Sequence, residues 1–324
     1  MRIHAAFPIL ISVLVVFLLL PGPQPSSAET FQEFARSQVP VYASRVEPKL
    51  NSFREKADED TLYMLRKSLR AVAAAMDTFY QAFPTERARL HRHLLLELDQ
   101  VLGNLRDLDV IIEQLEGPFS DITGVQALLE LVRRTRAEKM PPVLSRIRAD
   151  YTKRILALIG FLKHAARPAG HYSNLGEYWE KPQLAVGAEA STVVKTILSY
   201  MVIDIRKHGY EPPSQELLHI TRAKLRGLQS MLQLMPERDT NLVASVLTEL
   251  KKTRKKLGDL HDREILLMWL SHHVSNSHPL VQAIRDDHRR LNEEARRQTS
   301  HLGSSRLLED MVTAWPGDTN PASK

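Results

Sequence analysis

The chain has 324 residues, of which 43% are hydrophobic and 25% charged, the make-up of a folded globular protein rather than a fibrous or disordered one. Lys and Arg number 44 against 38 for Asp and Glu, a formal charge of +6, which permits an anionic partner without requiring one. There is no cysteine, which excludes disulfides, thiolate metal sites and cysteine nucleophiles and suits an oxidising compartment.

The first element is a targeting segment. Arg2 supplies a positive start, Ala5 to Leu20 form an apolar run of 16 residues, and Ser26-Ser27-Ala28 follow a Pro/Gly stretch with small residues suited to cleavage. This order predicts a signal peptide over residues 1–28, a mature chain beginning near Glu29, and export to the periplasm or beyond. The alternative is an uncleaved membrane anchor, although the run is shorter than the roughly 20 residues of a spanning helix and Pro8 interrupts it. No later segment is long and apolar enough to span a bilayer, so no stable membrane insertion is expected once the signal is removed.

Beyond the signal the pattern is helical. Helices are predicted over 30–56 (bent or broken near Pro40), 60–83, 87–116, 124–139 and 142–165. The Gly/Pro/aromatic stretch at residues 166 to 187 has no helical period and reads as a linker, taken to residue 190. Further helices are predicted over 191–209, 214–235, 240–272 and 279–301, with Pro279 in a first turn, and a weaker one over 304–314. No stretch alternates with period two for long enough to form a sheet.

The two halves repeat. LGNLRDLDVII at Leu102 returns as LGDLHDREILL at Leu257, 155 residues later. VQALLELVRRTRAE at Val125 returns as VQAIRDDHRRLNEE at Val281, 156 later; Arg133-Arg134 falls on Arg289-Arg290 and Glu138 on Glu294. The stripe Leu62, Leu65, Leu69, Val72, Met76 returns as Leu218, Thr221, Leu225, Leu228, Leu232. Steps of three and four put each stripe on one face of an amphipathic helix. The predicted fold is all-α, two similar helical bundles from an internal duplication, related by pseudo-two-fold symmetry. Residues 29–165 form the first half, 191–302 the second and 303–324 a C-terminal tail.

Beside each buried stripe runs a polar one: Tyr63, Arg66 and Arg70 in the first half, His219, Arg222 and Arg226 in the second. Such residues face either a groove or a partner carboxylate, the candidates being Asp107, Asp109 and Asp262. Denser still is ELKKTRKKLGDLHD, with Lys251, Lys252, Arg254, Lys255 and Lys256, of which Lys251, Arg254 and Lys255 share a face. The equivalent stretch LELDQV, residues 96 to 101, carries no basic group. Like charges this close repel, and a polyanion would relieve the repulsion.

H-x-x-R-x-x-x-[RK] on a helix followed by L-G-x-x-[RHN]-D, used twice at this spacing, resembles the CHAD family, the conserved histidine α-helical domain. The resemblance covers roughly residues 35 to 301. It implies two helical bundles with pseudo-two-fold symmetry and binding of inorganic polyphosphate along a basic groove between them. Carried over by position, the candidate binders are Arg66, Lys67, Arg70, His219, Arg222, Arg226, Lys251, Lys252, Arg254, Lys255 and Lys256. Three positions depart from the family's pattern: Tyr63 replaces its first histidine, and Ala73 and Gln229 stand where arginines are frequent. The first half is therefore thinner in positive charge.

No catalytic motif is present: G-x-x-x-x-G-K-[ST], H-E-x-x-H, G-x-S-x-G and E-x-E-x-K are all missing. An enzyme is not expected, nor a cofactor. Metal is not expected either, because His91 and His93 diverge on a helix and His272, His273 and His278 lack ligand spacing. Nucleic acid is disfavoured by export and by the lack of a basic patch interleaved with aromatics. The remaining alternative is an exported scaffold that binds anionic lipid or envelope polymers, its basic residues mainly in inter-helix ion pairs.

Overall fold

The computed structural model describes residues 29–83, 85–164, 189–210, 215–235 and 240–315. The predicted signal peptide, nearly all of the predicted linker and the end of the tail lie outside them.

Apart from a single bridge between Thr30 and Glu189, the described residues contain no strand. Their helices are α1 (Phe31–Ser44), α2 (Val46–Lys56), α3 (Glu59–Thr78), α4 (Thr85–Glu116), α5 (Val125–Arg146), α6 (Thr152–His164), α7 (Ala190–Tyr210), α8 (Gln215–Leu234), α9 (Thr240–Leu270), α10 (Pro279–Ser304) and α11 (Leu307–Ala314). None of the described helices is long and apolar enough to cross a membrane.

Local chemistry sets the helix starts. Thr30 and Glu33 form a reciprocal capping box on α1, the Glu33 carboxylate accepting from the Thr30 N–H at 2.9 Å. Asp58 caps α3 by accepting from the Thr61 N–H at 2.8 Å. Just before it Ala57 ends α2 in the left-handed region, φ 53°, the turn that separates α2 from α3. Pro279 occupies the first turn of α10 behind the His278 cap, as its fixed φ and missing N–H favour.

Two predicted boundaries are corrected. The first break falls at Arg45, and Pro40 lies inside α1. Likewise Pro141 and Pro142 lie inside α5, which continues through a π turn at Ile147–Tyr151 directly into α6. A proline removes one hydrogen bond and crowds the preceding turn. It bends a helix without ending it when the flanking residues are held by packing, as Ala35, Val39 and Ala43 are around Pro40.

All ten residues of the two predicted stripes are buried. Each large apolar side chain so buried stabilises the fold by about 1.5–3 kcal/mol. Helix α3 lies on α4 and α8 on α9, while α4 pairs with α5 and α9 with α10. The α3/α8 and α4/α9 contacts join the two sides. The repeated phrases thus lie on α3 and α8, on α4 and α9, and on α5 and α10. Two apolar clusters result. The larger includes the α3 and α8 stripes; the smaller gathers the ends of α4 and α9 with the starts of α5 and α10, through Leu108, Phe119, Leu266 and Leu280 among others. Between the clusters, where α4 meets α9, Gln114 donates to the Asp262 carbonyl at 2.9 Å and accepts from Arg263 at 2.8 Å.

Candidate anion-binding groove

The polar stripes lie on α3 and α8, which touch each other and pack on α4 and α9. On the α3/α4 side Arg66 donates to Asp99 at 3.1 Å, and Arg70 grips both oxygens of the same carboxylate at 3.0 and 3.1 Å. Such forked contacts are the strong form of the arginine–carboxylate pair. Burial alone would raise the Asp99 pKa, but Arg70 and Arg66 outweigh it and hold the carboxyl below its ordinary value. Gly103, from the Leu-Gly phrase, makes room for this arrangement. A Cβ there would stand 3.3 Å from a guanidinium nitrogen of Arg66, closer than comfortable packing allows.

The α8/α9 side carries the same arginine spacing with a different outcome. Among the described residues Arg222 and Arg226 form neither a hydrogen bond nor an ion pair. Three residues before the Leu-Gly of each phrase, Asp99 is matched by Arg254. Arg254 reaches α8 and donates to Gln229, one turn beyond Arg226, while its Nε is buried with no partner. A Cβ at Gly258 would meet nothing within 4 Å, so the space that Arg66 fills beside Gly103 is open beside Gly258.

Electrostatics follow from this geometry. Burial, then like-charged neighbours, lower the pKa of Arg66, Arg222 and Arg254. Arg226 is affected most: burial together with Arg70, Arg222 and Arg254 pushes it down to about 9, still high enough to stay charged at neutral pH. Of the facing carboxylates, Asp262 offsets the charge of Arg222 without touching it. Burial raises the pKa of Asp107 and of Asp262 despite Arg66 and Arg222 nearby, and neither side chain forms an ion pair among the described residues. His219 is exposed, with its ring 5.9 Å from that of His261. Burial, then the charges of His261 and Arg222, lower its pKa. Tyr63 is half exposed and interacts with Arg254, so its phenol stands at the edge of the same group.

The family model of the CHAD domain matches residues 45–178. The crystal structure of the CHAD domain from the plant Ricinus communis is similar, with a TM-score of 0.65 at 16% identity, over 91% of this chain and 96% of that one. PptA from Streptomyces chartreusis matches with a TM-score of 0.53 at 14% identity, over 88% of this chain and 99% of that one. At these identities the likeness is one of fold, and it extends over both halves. No curated protein matches the sequence.

The candidate binders separate into two groups. Arg66, Arg70, Arg222, Arg226, Arg254 and His219 come together. Lys67, Lys251, Lys252 and Lys255 are exposed. The lysine run also has acidic partners: Lys252 pairs with Glu249 at 3.7 Å and Lys255 with Asp259 at 3.0 Å on the same helix, and Lys256 with Glu294 of α10 at 2.5 Å. The shared face of Lys251, Arg254 and Lys255 divides, since Arg254 turns half-buried toward α8 while the lysines stay in solvent.

The carboxylate partners also differ from those expected. Asp99 binds Arg66 and Arg70, a role for which Asp107, Asp109 and Asp262 were the candidates. Asp109 is buried and pairs with Arg136 of α5, outside the groove. Arg106 of the same phrase holds Glu59 at 2.5 Å and Glu113 at 2.9 Å, and burial beside Glu59 pushes the Glu113 pKa up to about 7. Asp99 and His261 are the groove residues that sequence reasoning missed. Their only marks are position, Asp99 three residues before one Leu-Gly and His261 inside the second phrase. A shallow depression of about 280 Å³ lies away from the groove at Glu97, Arg146, Tyr151 and Arg154, where Glu97 already bonds both arginines.

Proposed function

We propose that the chain binds inorganic polyphosphate, or a closely similar polyanion, in the groove formed by α3, α4, α8 and α9. One observation carries this reading: the half-buried Arg222, Arg226 and Arg254 lie together with too few carboxylates to neutralise them. Gathering cations out of water is costly unless a counter-charge joins them. A phosphate chain supplies it, arginine offering forked donors and the chain releasing its counterions. The CHAD family is associated with polyphosphate binding, which supports the same ligand.

Binding rather than catalysis is the proposed activity, with the protein exported by residues 1–28 and its halves related as copies of one plan. The decisive experiment is capture of the purified chain on polyphosphate, heparin and anionic vesicles at matched charge, across a salt series. Polyphosphate should retain it to the highest salt. Equal retention on all three would leave a basic surface without a chosen ligand. The Asp99 pairs favour a second reading for the α3/α4 side alone, in which its arginines act mainly as inter-helix ties.

A further inference from the structure

The groove is not evenly charged along its length. On the α3/α4 side Asp99 occupies both arginines. On the α8/α9 side the matching position is Arg254, and the half-buried Arg222, Arg226 and Arg254 lie near enough to repel one another and Arg70, with open space beside Gly258. A ligand of uniform charge density would gain little from this concentration. An interior unit of a phosphate chain is bridged on both sides and keeps two free oxygens and one charge. The end unit keeps three free oxygens and approaches about −2 near neutral pH, as a phosphomonoester does. Three forked donors around three oxygens match the end unit and exceed what an interior unit can accept.

We propose that Arg222, Arg226 and Arg254 form a receptor for the terminal phosphate of a polyphosphate chain, so that the protein binds chain ends rather than coating the chain. The inference rests on the polyphosphate reading above. The arrangement of Arg254 supports it further. Gln229 holds this guanidinium from α8, and its buried Nε has no bond, a donor left to be satisfied. Lys251 lies one turn back along α9, exposed, where the second unit of the chain would emerge. The Asp99 carboxylate beyond Arg70 leaves that end of the groove with fewer free donors for a chain that would run on.

The test is isothermal titration of the full-length chain with fractionated polyphosphates of increasing length, plus displacement by linear tetraphosphate and by cyclic hexametaphosphate. The two short probes have nearly the same total charge, but only the linear one has ends. End recognition predicts at most two protein molecules per chain at every length, and displacement by tetraphosphate at roughly tenfold or more lower concentration than by the ring. Protein bound in proportion to chain length, or equal displacement by the two probes, would overturn the proposal while leaving polyphosphate binding intact. Failure of long chains and tetraphosphate alike to bind would remove the polyphosphate reading itself. Arg254→Gln, and separately Arg254→Asp, should abolish the preference for the linear probe. Persistence of the preference in both folded variants would place the receptor elsewhere and equally overturn the proposal.

Discussion

The α3/α4 and α8/α9 sides of the groove begin from the same arginine spacing and end in opposite electrostatic states. Arg66 and Arg70 share the Asp99 carboxylate, whereas Arg222 and Arg226 face Arg254, which stands where the first side has Asp99. One residue of opposite charge at a matching position turns a structural tie into a held repulsion. The lesson is that a basic motif says little about function until its counter-charges are located. The same Arg-x-x-x-Arg is tied to a carboxylate on one helix and left without an ion pair on the other.

The largest effect should come from removing the unpaired cations. Arg222→Ala with Arg226→Ala should weaken polyphosphate binding by about 100-fold or more, since charge-assisted contacts contribute about 1.5–3 kcal/mol each. Neither arginine is ion-paired, and relief of their mutual repulsion offsets the loss of Arg222's attraction to Asp262, so the thermal midpoint of the free protein should hold or rise. A fall of the midpoint with unchanged affinity would put these residues on the structural side of the comparison.

Next, Arg254→Asp gives the second side the charge arrangement of the first. Affinity should fall by about tenfold, one charge-assisted contact being lost, and denaturant unfolding should show a gain in stability as Arg222 and Arg226 acquire an acid. Weaker binding without that gain would mean the new carboxylate fails to reach them.

Asp99→Asn is the converse. It frees Arg66 and Arg70 for a ligand, and several-fold tighter binding is expected. Stability should drop by about 1–3 kcal/mol, discounted from the value for a fully buried pair because Arg70 and Asp99 are partly exposed. The loss has a definite pH window. The folded Asp99 pKa lies below the ordinary 3.8, so the pair's contribution is complete above that value and disappears as pH falls through the lowered folded pKa. Wild type and Asp99→Asn should therefore converge in acid, which urea titrations between pH 7 and strongly acidic conditions can check.

The smallest effect belongs to the lysine run. Changing Lys251, Lys252, Lys255 and Lys256 to Gln should flatten the logarithmic salt dependence of binding by a few units, because each phosphate contact displaces about one counterion. Relief of self-repulsion within the run is offset by loss of the pairs with Glu249, Asp259 and Glu294, so the thermal midpoint should barely move. A collapse of affinity as deep as that from the arginine pair would make the run, not the groove, the principal site.

Much of the fold was legible in the letters. The two stripes, from Leu62 to Met76 and from Leu218 to Leu232, are buried throughout because a helix returns every third or fourth side chain to one face, whatever surrounds it. The repeated phrases fall on α3 and α8, on α4 and α9, and on α5 and α10. Helix breaks were less legible, since Pro40, Pro141 and Pro142 lie within helices that neighbouring packing holds together. The candidate site was legible as a set of cations and not as a charge balance. The sequence by itself determined which faces are apolar and where arginine recurs. Only the tertiary structure decided that Asp99 reaches Arg66 and Arg70, that Arg254 turns toward Gln229, and that Lys256 finds Glu294 on α10. Pairing depends on which side chains three-dimensional packing brings within a few ångströms. A period of 3.6 residues specifies the direction of a side chain on its own helix, but not what another helix places opposite it.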